Sequence, residues 1–319
     1  MMFTTGSKID EVRIDGSLDA FREDLNHYRE LDIKAVELPV HGLDAIKNGR
    51  LDKKRTDRVK EILKDFDFEY SVHAPNPLNL MDRDNPALHL SVFKASLEFA
   101  CEVESRILVY HAGRFIPEEA FPINGNRRSS SDEEVRLLDI EAKALSMLSE
   151  EYPDVVICIE NARPYLFHSP YCYAEVIGNL KEQVKRLNRD NIRITLDIGH
   201  LFLAAGFYNF DPVEATADIR NLIAHTHVHD NFGKAVFHHE KMQTHQIPFG
   251  RGDSHMPVGW GDIPLARIIS AYINTYQGMF VMELRSRYFN YNEESKINLE
   301  GILAEAAGLI HGVLLTRKN

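Results

Sequence analysis

Eight short runs rich in β-branched residues alternate with longer amphipathic stretches along this chain of 319 residues. The runs are Met2–Thr5, Ile33–Leu38, Phe68–His73, Ile107–His111, Val155–Glu160, Ile192–Asp197, Ile223–His229 and Met279–Glu283. The stretches with helical spacing are Leu18–Leu31, Leu51–Phe66, Pro86–Val103, Ser131–Leu148, Pro170–Leu187, Pro212–Leu222, Ile263–Thr275 and Asn292–Leu315. Strands that alternate with helices form a parallel sheet. The alternation therefore predicts an α/β fold.

Two architectures suit such a series, a closed barrel and an open doubly wound sheet. The open sheet would need a glycine-rich phosphate turn after its first strand, and the segment Gly6–Asp10 is not one. No linker or repeat interrupts the series. The pattern favours a single (β/α)8 TIM barrel that forms one domain over residues 1–319.

Composition and charge argue against several classes of function. The net charge of −11 argues against duplex DNA as a partner, because affinity for nucleic acid comes mainly from clustered lysine and arginine. No apolar run approaches the length of a membrane helix, and the N-terminal residues do not form a secretory signal. The three cysteines show no CxxC spacing. A cytoplasmic enzyme for a small molecule is expected, while composition does not predict an oligomeric state.

Acidic and histidine residues stand at the ends of six consecutive predicted strands. They are His73, His111, Glu160, Asp197 with His200, His227, and Glu283. A parallel barrel brings all carboxyl ends of its strands to one rim, so these side chains can converge. A single histidine there would most often be structural, but six strands in succession indicate a site. Carboxylates in apolar strands need a counter-charge, and a mixed imidazole and carboxylate set suits zinc or manganese.

These motifs resemble the xylose isomerase-like TIM-barrel superfamily, which includes endonuclease IV-type enzymes and sugar isomerases and epimerases. The four-ligand core of the sugar enzymes matches Glu160, Asp197, His227 and Glu283. The larger endonuclease IV set also matches His73 in VHAP, His111 in YHAG, His200 in LDIGH, and Asp253 and His255 in GDSHMPVGWGDI.

The resemblance implies one to three divalent ions, zinc or else manganese or another metal. His73, His111 and Glu160 would hold one ion. Glu160, Asp197, His227 and Glu283 would hold a second, and His200, Asp253 and His255 a third. The alternative for Asp253 and His255 is a loop pair that binds no metal.

Other residues near the predicted rim have less specific patterns. Glu37 and Arg285 are candidates for substrate binding, although Glu37 could equally be an ordinary rim residue. Arg163 also follows a strand end, where a solvated arginine is the default. His225 shares a strand face with His227 and could support it from behind.

Three functions remain open. The first is metal-assisted hydrolysis of a phosphoester in a small metabolite, with Glu160 bridging two ions. The alternative is an isomerase or epimerase in which Glu160 and Glu283 move a proton on and off carbon. The third is a metal-binding barrel without catalysis. The expected substrate is a small molecule, either phosphorylated or sugar-like.

Overall fold

The computed structural model describes residues 3–124, 129–238 and 243–316. Within these ranges eight parallel strands close into a barrel, in the order β1-β8-β7-β6-β5-β4-β3-β2. The strands are β1 Thr4–Lys8, β2 Ala35–Pro39, β3 Glu69–His73, β4 Ile107–His111, β5 Val156–Glu160, β6 Ile192–Asp197, β7 Ile223–Val228 and β8 Met279–Met282. The predicted (β/α)8 barrel is therefore confirmed.

Helices surround the barrel and cover the outer face of the strands. They are α1 Glu11–Ile14, α2 Leu18–Glu30, α3 Lys53–Leu63, α4 Pro86–Glu102, α5 Phe121–Asn124, α6 Ser131–Glu151, α7 Ile177–Leu187, α8 Ile198–Tyr208, α9 Pro212–Ile219, α10 Leu265–Ser270 and α11 Asn292–Thr316. Short 3₁₀ segments cover Glu118–Ala120, Tyr173–Glu175, Gln243–Phe249 and Ser286–Tyr291. Because the strands have helices on one face and the barrel interior on the other, all five residues of β2 are buried. No helix in the described ranges is long and apolar enough to cross a membrane.

The register of the strands determines which side chains meet at the rim. His111 at the end of β4 is paired with Glu160 at the end of β5. His227 near the end of β7 is paired with Asp197 at the end of β6. Neighbouring strands lie about 4.8 Å apart, so each pair places an imidazole next to a carboxylate.

The loop after β7 folds back onto the barrel mouth. Asp230 pairs with Met256 in an isolated antiparallel bridge. The Asp230 carboxylate also accepts backbone hydrogen bonds from Gly259 and Ile263. Through these contacts Asp230 anchors the segment that carries Asp253 and His255.

Several elements differ from the sequence prediction, among them β1, α7 and α8. Strand β1 lies further along the chain than Met2–Thr5, which places Lys8 at the rim. Helix α7 begins at Ile177 rather than Pro170, after a turn at Tyr173–Glu175. Helix α8 was not predicted, because its apolar residues surround the whole helix and show no one-sided spacing. It begins after Asp197, whose side chain caps it by accepting from His200 N at 2.6 Å.

Candidate metal centre

Three groups of side chains at the carboxyl ends of the strands are each close enough to hold a metal ion. Group 1 is His73, His111 and Glu160. Group 2 is Glu160, Asp197, His227 and Glu283. Group 3 is His200, His229, Asp253 and His255. Within each group one ligand atom per residue lies within 4.8 Å of the others. All nine predicted ligands fall into these groups, and their role as ligands stays a prediction.

Glu160 belongs to two groups because its two oxygens face different ways. Its Oε2 atom lies 3.5 Å from His73 Nε2 and 3.2 Å from His111 Nε2. Its Oε1 atom lies 3.5 Å from His227 Nδ1. The side chain is 1% exposed, and neither oxygen has a hydrogen-bond partner. One carboxylate can therefore serve group 1 and group 2 together.

Group 2 is centred on the Nδ1 atom of His227. Glu283 Oε2 lies 3.3 Å from this nitrogen, and Asp197 Oδ2 lies 3.9 Å from it. Burial alone would raise the pKa of Glu283, but Lys8 and His227 hold it well below its usual range. The pKa of Glu160 is also held well below normal, by His111 and His227 against the effect of burial. Both glutamates are therefore carboxylates at neutral pH.

Group 3 lies around Asp253. The Oδ2 atom of Asp253 is 3.0 Å from His255 Nε2 and 3.5 Å from His200 Nε2. His229 Nε2 lies 3.8 Å from Asp253 Oδ1 and 3.2 Å from Asp197 Oδ1, so His229 stands between groups 2 and 3. Its imidazole also stacks on that of His255, with centroids 3.9 Å apart.

Backbone carbonyls determine the tautomers of three of these histidines. The Nδ1 atom of His73 lies 2.7 Å from Ala74 O, and that of His255 lies 2.9 Å from Glu283 O. The Nδ1 atom of His200 lies 2.9 Å from Asn161 O. A carbonyl oxygen only accepts, so each neutral imidazole carries its hydrogen on Nδ1. The Nε2 lone pair of each then faces carboxylate oxygens, as in metal sites whose ligand histidines donate their other N–H to the protein.

The three groups fit a divalent cation. Lone pairs and carboxylates face one another at 3.0–3.9 Å, and these contacts are repulsive unless a cation or a proton lies between them. Ligands bound at about 2.0–2.1 Å around a tetrahedral zinc ion would lie about 3.3 Å apart, close to these separations. Buried atoms without a hydrogen-bond partner include His73 Nε2, His227 Nδ1, Asp253 Oδ1 and both oxygens of Glu160. The donor set suits zinc or manganese.

Two cationic side chains that the sequence did not single out as site residues touch these groups. Lys8 Nζ lies 2.5 Å from Glu283 Oε1, and both side chains are largely buried. Arg163, expected to be solvated, has Nη1 3.3 Å from Asp253 Oδ2 and donates from Nη2 to the Tyr165 hydroxyl at 2.8 Å. Lys8 was missed because β1 was predicted to end at Thr5. Extending the predicted strand by three residues, to the end of TTGSK, would have reached it.

A cavity of about 250 Å³ opens above the three groups. Lys8, His111, His200, Glu283 and Arg285 are among the side chains that line it. The lining is mainly polar, which suits a small hydrophilic ligand. Arg285, predicted to bind substrate, is placed where it could do so.

Glu37 is not placed as predicted. Its side chain is fully buried below the mouth, and its carboxylate contacts His225 and His227 rather than the cavity. It is not among the residues that line the cavity. The expected support of His227 by His225 takes a different form, because both imidazoles meet the same carboxylate.

Comparison with known proteins agrees with this architecture. The sequence model described as xylose isomerase-like TIM barrel matches residues 25–310. An uncharacterized protein of Methanocaldococcus jannaschii is 30% identical over 213 residues, which cover 63% of this chain and 68% of that protein.

Two solved structures share the fold at low sequence identity. A D-tagatose 3-epimerase-like protein has a TM-score of 0.71 and 22% identity over 97% of this chain and 100% of its own. An L-ribulose 3-epimerase has a TM-score of 0.70 and 12% identity over 98% of both chains.

Proposed function

Because the chain belongs to the xylose isomerase-like TIM-barrel family, we propose that it is a metal-dependent isomerase or epimerase of a small sugar or sugar phosphate. One observation carries this proposal. Glu160 Oε1 and Glu283 Oε2 lie 3.5 Å and 3.3 Å from the same nitrogen of His227. Two carboxylates thus converge on the position where group 2 would hold its ion, so a substrate bound to that ion would lie beside both, as a reaction that removes a proton from carbon and returns it requires.

The two glutamates approach that position from different directions. Glu160 ends β5 and Glu283 follows β8, and β6 and β7 lie between these strands in the barrel. A carbon atom held between them would have one carboxylate on each side. One glutamate would remove the proton, and the other would deliver a proton to the opposite face.

Group 2 would hold the ion that this chemistry needs, with Asp197 and His227 as ligands beside the two glutamates. A divalent ion bound there supplies Lewis-acid polarisation of a carbonyl and its neighbouring hydroxyl. Lys8 neutralises Glu283 Oε1 and keeps Oε2 directed at His227. Arg285, on the cavity wall, would bind a substrate oxygen. The solved L-ribulose 3-epimerase and the D-tagatose 3-epimerase-like protein, which share the fold, support this class of substrate.

Isotope exchange tests the proposal. Zinc- or manganese-loaded protein is incubated in D₂O with a panel of ketopentoses, ketohexoses and their phosphates, and deuterium on carbon is followed by NMR. We expect exchange with at least one ketose, lost in Glu160→Gln and Glu283→Gln. Glu175→Gln is a matched control, because Glu175 is buried and accepts hydrogen bonds from Tyr171 N, Cys172 N and the Tyr208 hydroxyl, none of which belongs to the three groups. Absence of exchange across the panel with metal-loaded protein would contradict the proposal.

A second function has one specific observation in its favour. Groups 1 and 3 are not needed by an epimerase, and Glu160 presents one oxygen to each of groups 1 and 2. Two ions about 3.5–4 Å apart could then activate water for hydrolysis of a small phosphoester. Elemental analysis separates the two proposals: one ion per chain under metal excess leaves hydrolysis without support. Two or three ions, with phosphate or alcohol release from model phosphodiesters that Glu160→Gln abolishes, would favour it.

A further inference from the structure

Glu37 is a buried carboxylate that has no role in the proposed chemistry. It lies on β2 and is fully buried, so it does not reach the cavity at the mouth. A buried negative charge is costly, so its contacts indicate what it does.

One oxygen of Glu37 is fully engaged. Its Oε2 atom accepts a hydrogen bond from Ser71 Oγ at 3.0 Å. The same oxygen lies 2.8 Å from His225 Nε2, which must donate because a carboxylate only accepts. Ser71 is the register partner of Glu37 on the adjacent strand β3. The carboxylate is thereby held in one orientation.

The other oxygen contacts His227 on the side of the ring that points away from group 2. Glu37 Oε1 lies 3.0 Å from His227 Nε2, an electrostatic contact in which neither atom makes a hydrogen bond. The opposite nitrogen of that ring, Nδ1, faces Glu160 and Glu283 in group 2. A carboxylate beside Nε2 stabilises the tautomer that carries its hydrogen on Nε2, and that tautomer has its lone pair on Nδ1.

We propose that Glu37 is a positioning residue that holds His227 with the Nδ1 lone pair directed into group 2. This inference rests on the proposed metal centre. Glu37, His73 and His227 are also close enough to hold an ion themselves. However, an ion there would take His227 from group 2, and Ser71 with His225 already engages half of the Glu37 carboxylate.

Cobalt binding provides the test. Metal-free wild type and Glu37→Gln are titrated with Co²⁺ against a competing chelator, and visible absorption is recorded. Loss of a partner that orients a metal-binding histidine typically lowers metal affinity by about 10–100-fold. We expect a loss in that range with the number of ions unchanged, and an altered cobalt spectrum.

Each outcome has a defined meaning. Unchanged affinity and spectrum in Glu37→Gln would overturn the inference, and so would the loss of one bound ion, because Glu37 would then be a ligand. Glu175→Gln, a buried carboxylate away from the groups, should bind Co²⁺ as wild type does. If Glu37→Gln does not fold, Ser71→Ala removes only one bond to Oε2 and should weaken binding a few-fold; no change there would overturn the inference. Wild type that binds no Co²⁺ would refute the metal centre instead.

Discussion

The buried ion pair between Lys8 and Glu283 leads to a quantitative prediction. The two side chains are 5% and 12% exposed, with Nζ 2.5 Å from Oε1. Removing one partner of a buried pair costs about 3–5 kcal/mol, because the other charge stays buried without compensation. Lys8→Met should therefore lower the free energy of unfolding of the metal-free protein by about 3–5 kcal/mol.

Urea denaturation in the presence of a chelator measures this change. Lys60→Met is the control, because Lys60 pairs with Glu102 at the same 2.5 Å but the side chains are 37% and 42% exposed. Exposed pairs contribute about 0–1 kcal/mol, so the control should differ little from wild type. Zinc or manganese should restore more stability to Lys8→Met than to wild type, because the ion supplies the missing positive charge.

Two results would refute this reasoning. One is a Lys8→Met protein that unfolds within about 1 kcal/mol of wild type in chelator, as an exposed pair would. The other concerns Glu283→Gln in the Lys8→Met background. Neutralising the orphaned carboxylate should recover part of the loss, and a further decrease in stability would mean that the ion pair is not the cause.

Three further predictions follow from other sites. A methyl group at Gly199 would clash with the imidazole of His229, so Gly199→Ala should lose about 1–3 kcal/mol of stability by denaturation and weaken metal binding measured with a chelator. A thiol reagent should label exposed Cys101 alone in the folded protein and all three cysteines in denaturant, since burial raises the pKa of the Cys158 thiol to about 12; labelling of more than one thiol before unfolding would contradict this. Burial raises the pKa of Asp24 to about 6, above its unfolded value, so its contribution to stability is present at low pH and lost as pH rises through about 6. Asp24→Asn should remove this pH dependence of the free energy of unfolding, measured by denaturation between pH 4 and 7. A variant whose stability changes with pH as that of wild type does would refute the prediction.

Seven of the nine predicted ligands could be found from strand-end position, because strand ends in a parallel barrel meet at one rim. Asp253 and His255 lie in the loop after β7 and were predicted from the family resemblance. His73, His111 and Glu160 stand at or near the last positions of their predicted strands, and the structure places them together. Their convergence needs only the strand order and direction, which the alternation of short apolar runs and helical stretches already predicts.

Other features depended on register and on contacts between distant segments. Lys8 reaches Glu283 only because β1 extends beyond its predicted end. His229 lies just past β7, and its ring turns between groups 2 and 3. Glu37 meets His225 across 188 positions of sequence, and no local pattern distinguishes that contact from exposure at the mouth.

The sequence alone thus determined the barrel and indicated most of the candidate metal ligands, because periodicity and strand-end position are local properties of the chain. Only the tertiary structure decided which oxygen of Glu160 faces which group, and that the Glu37 carboxylate lies against His225 and His227. Those outcomes depend on strand register and side-chain rotamers. Both are set by the packing of the whole barrel, in which side chains from residues far apart in sequence pack closely together at the mouth.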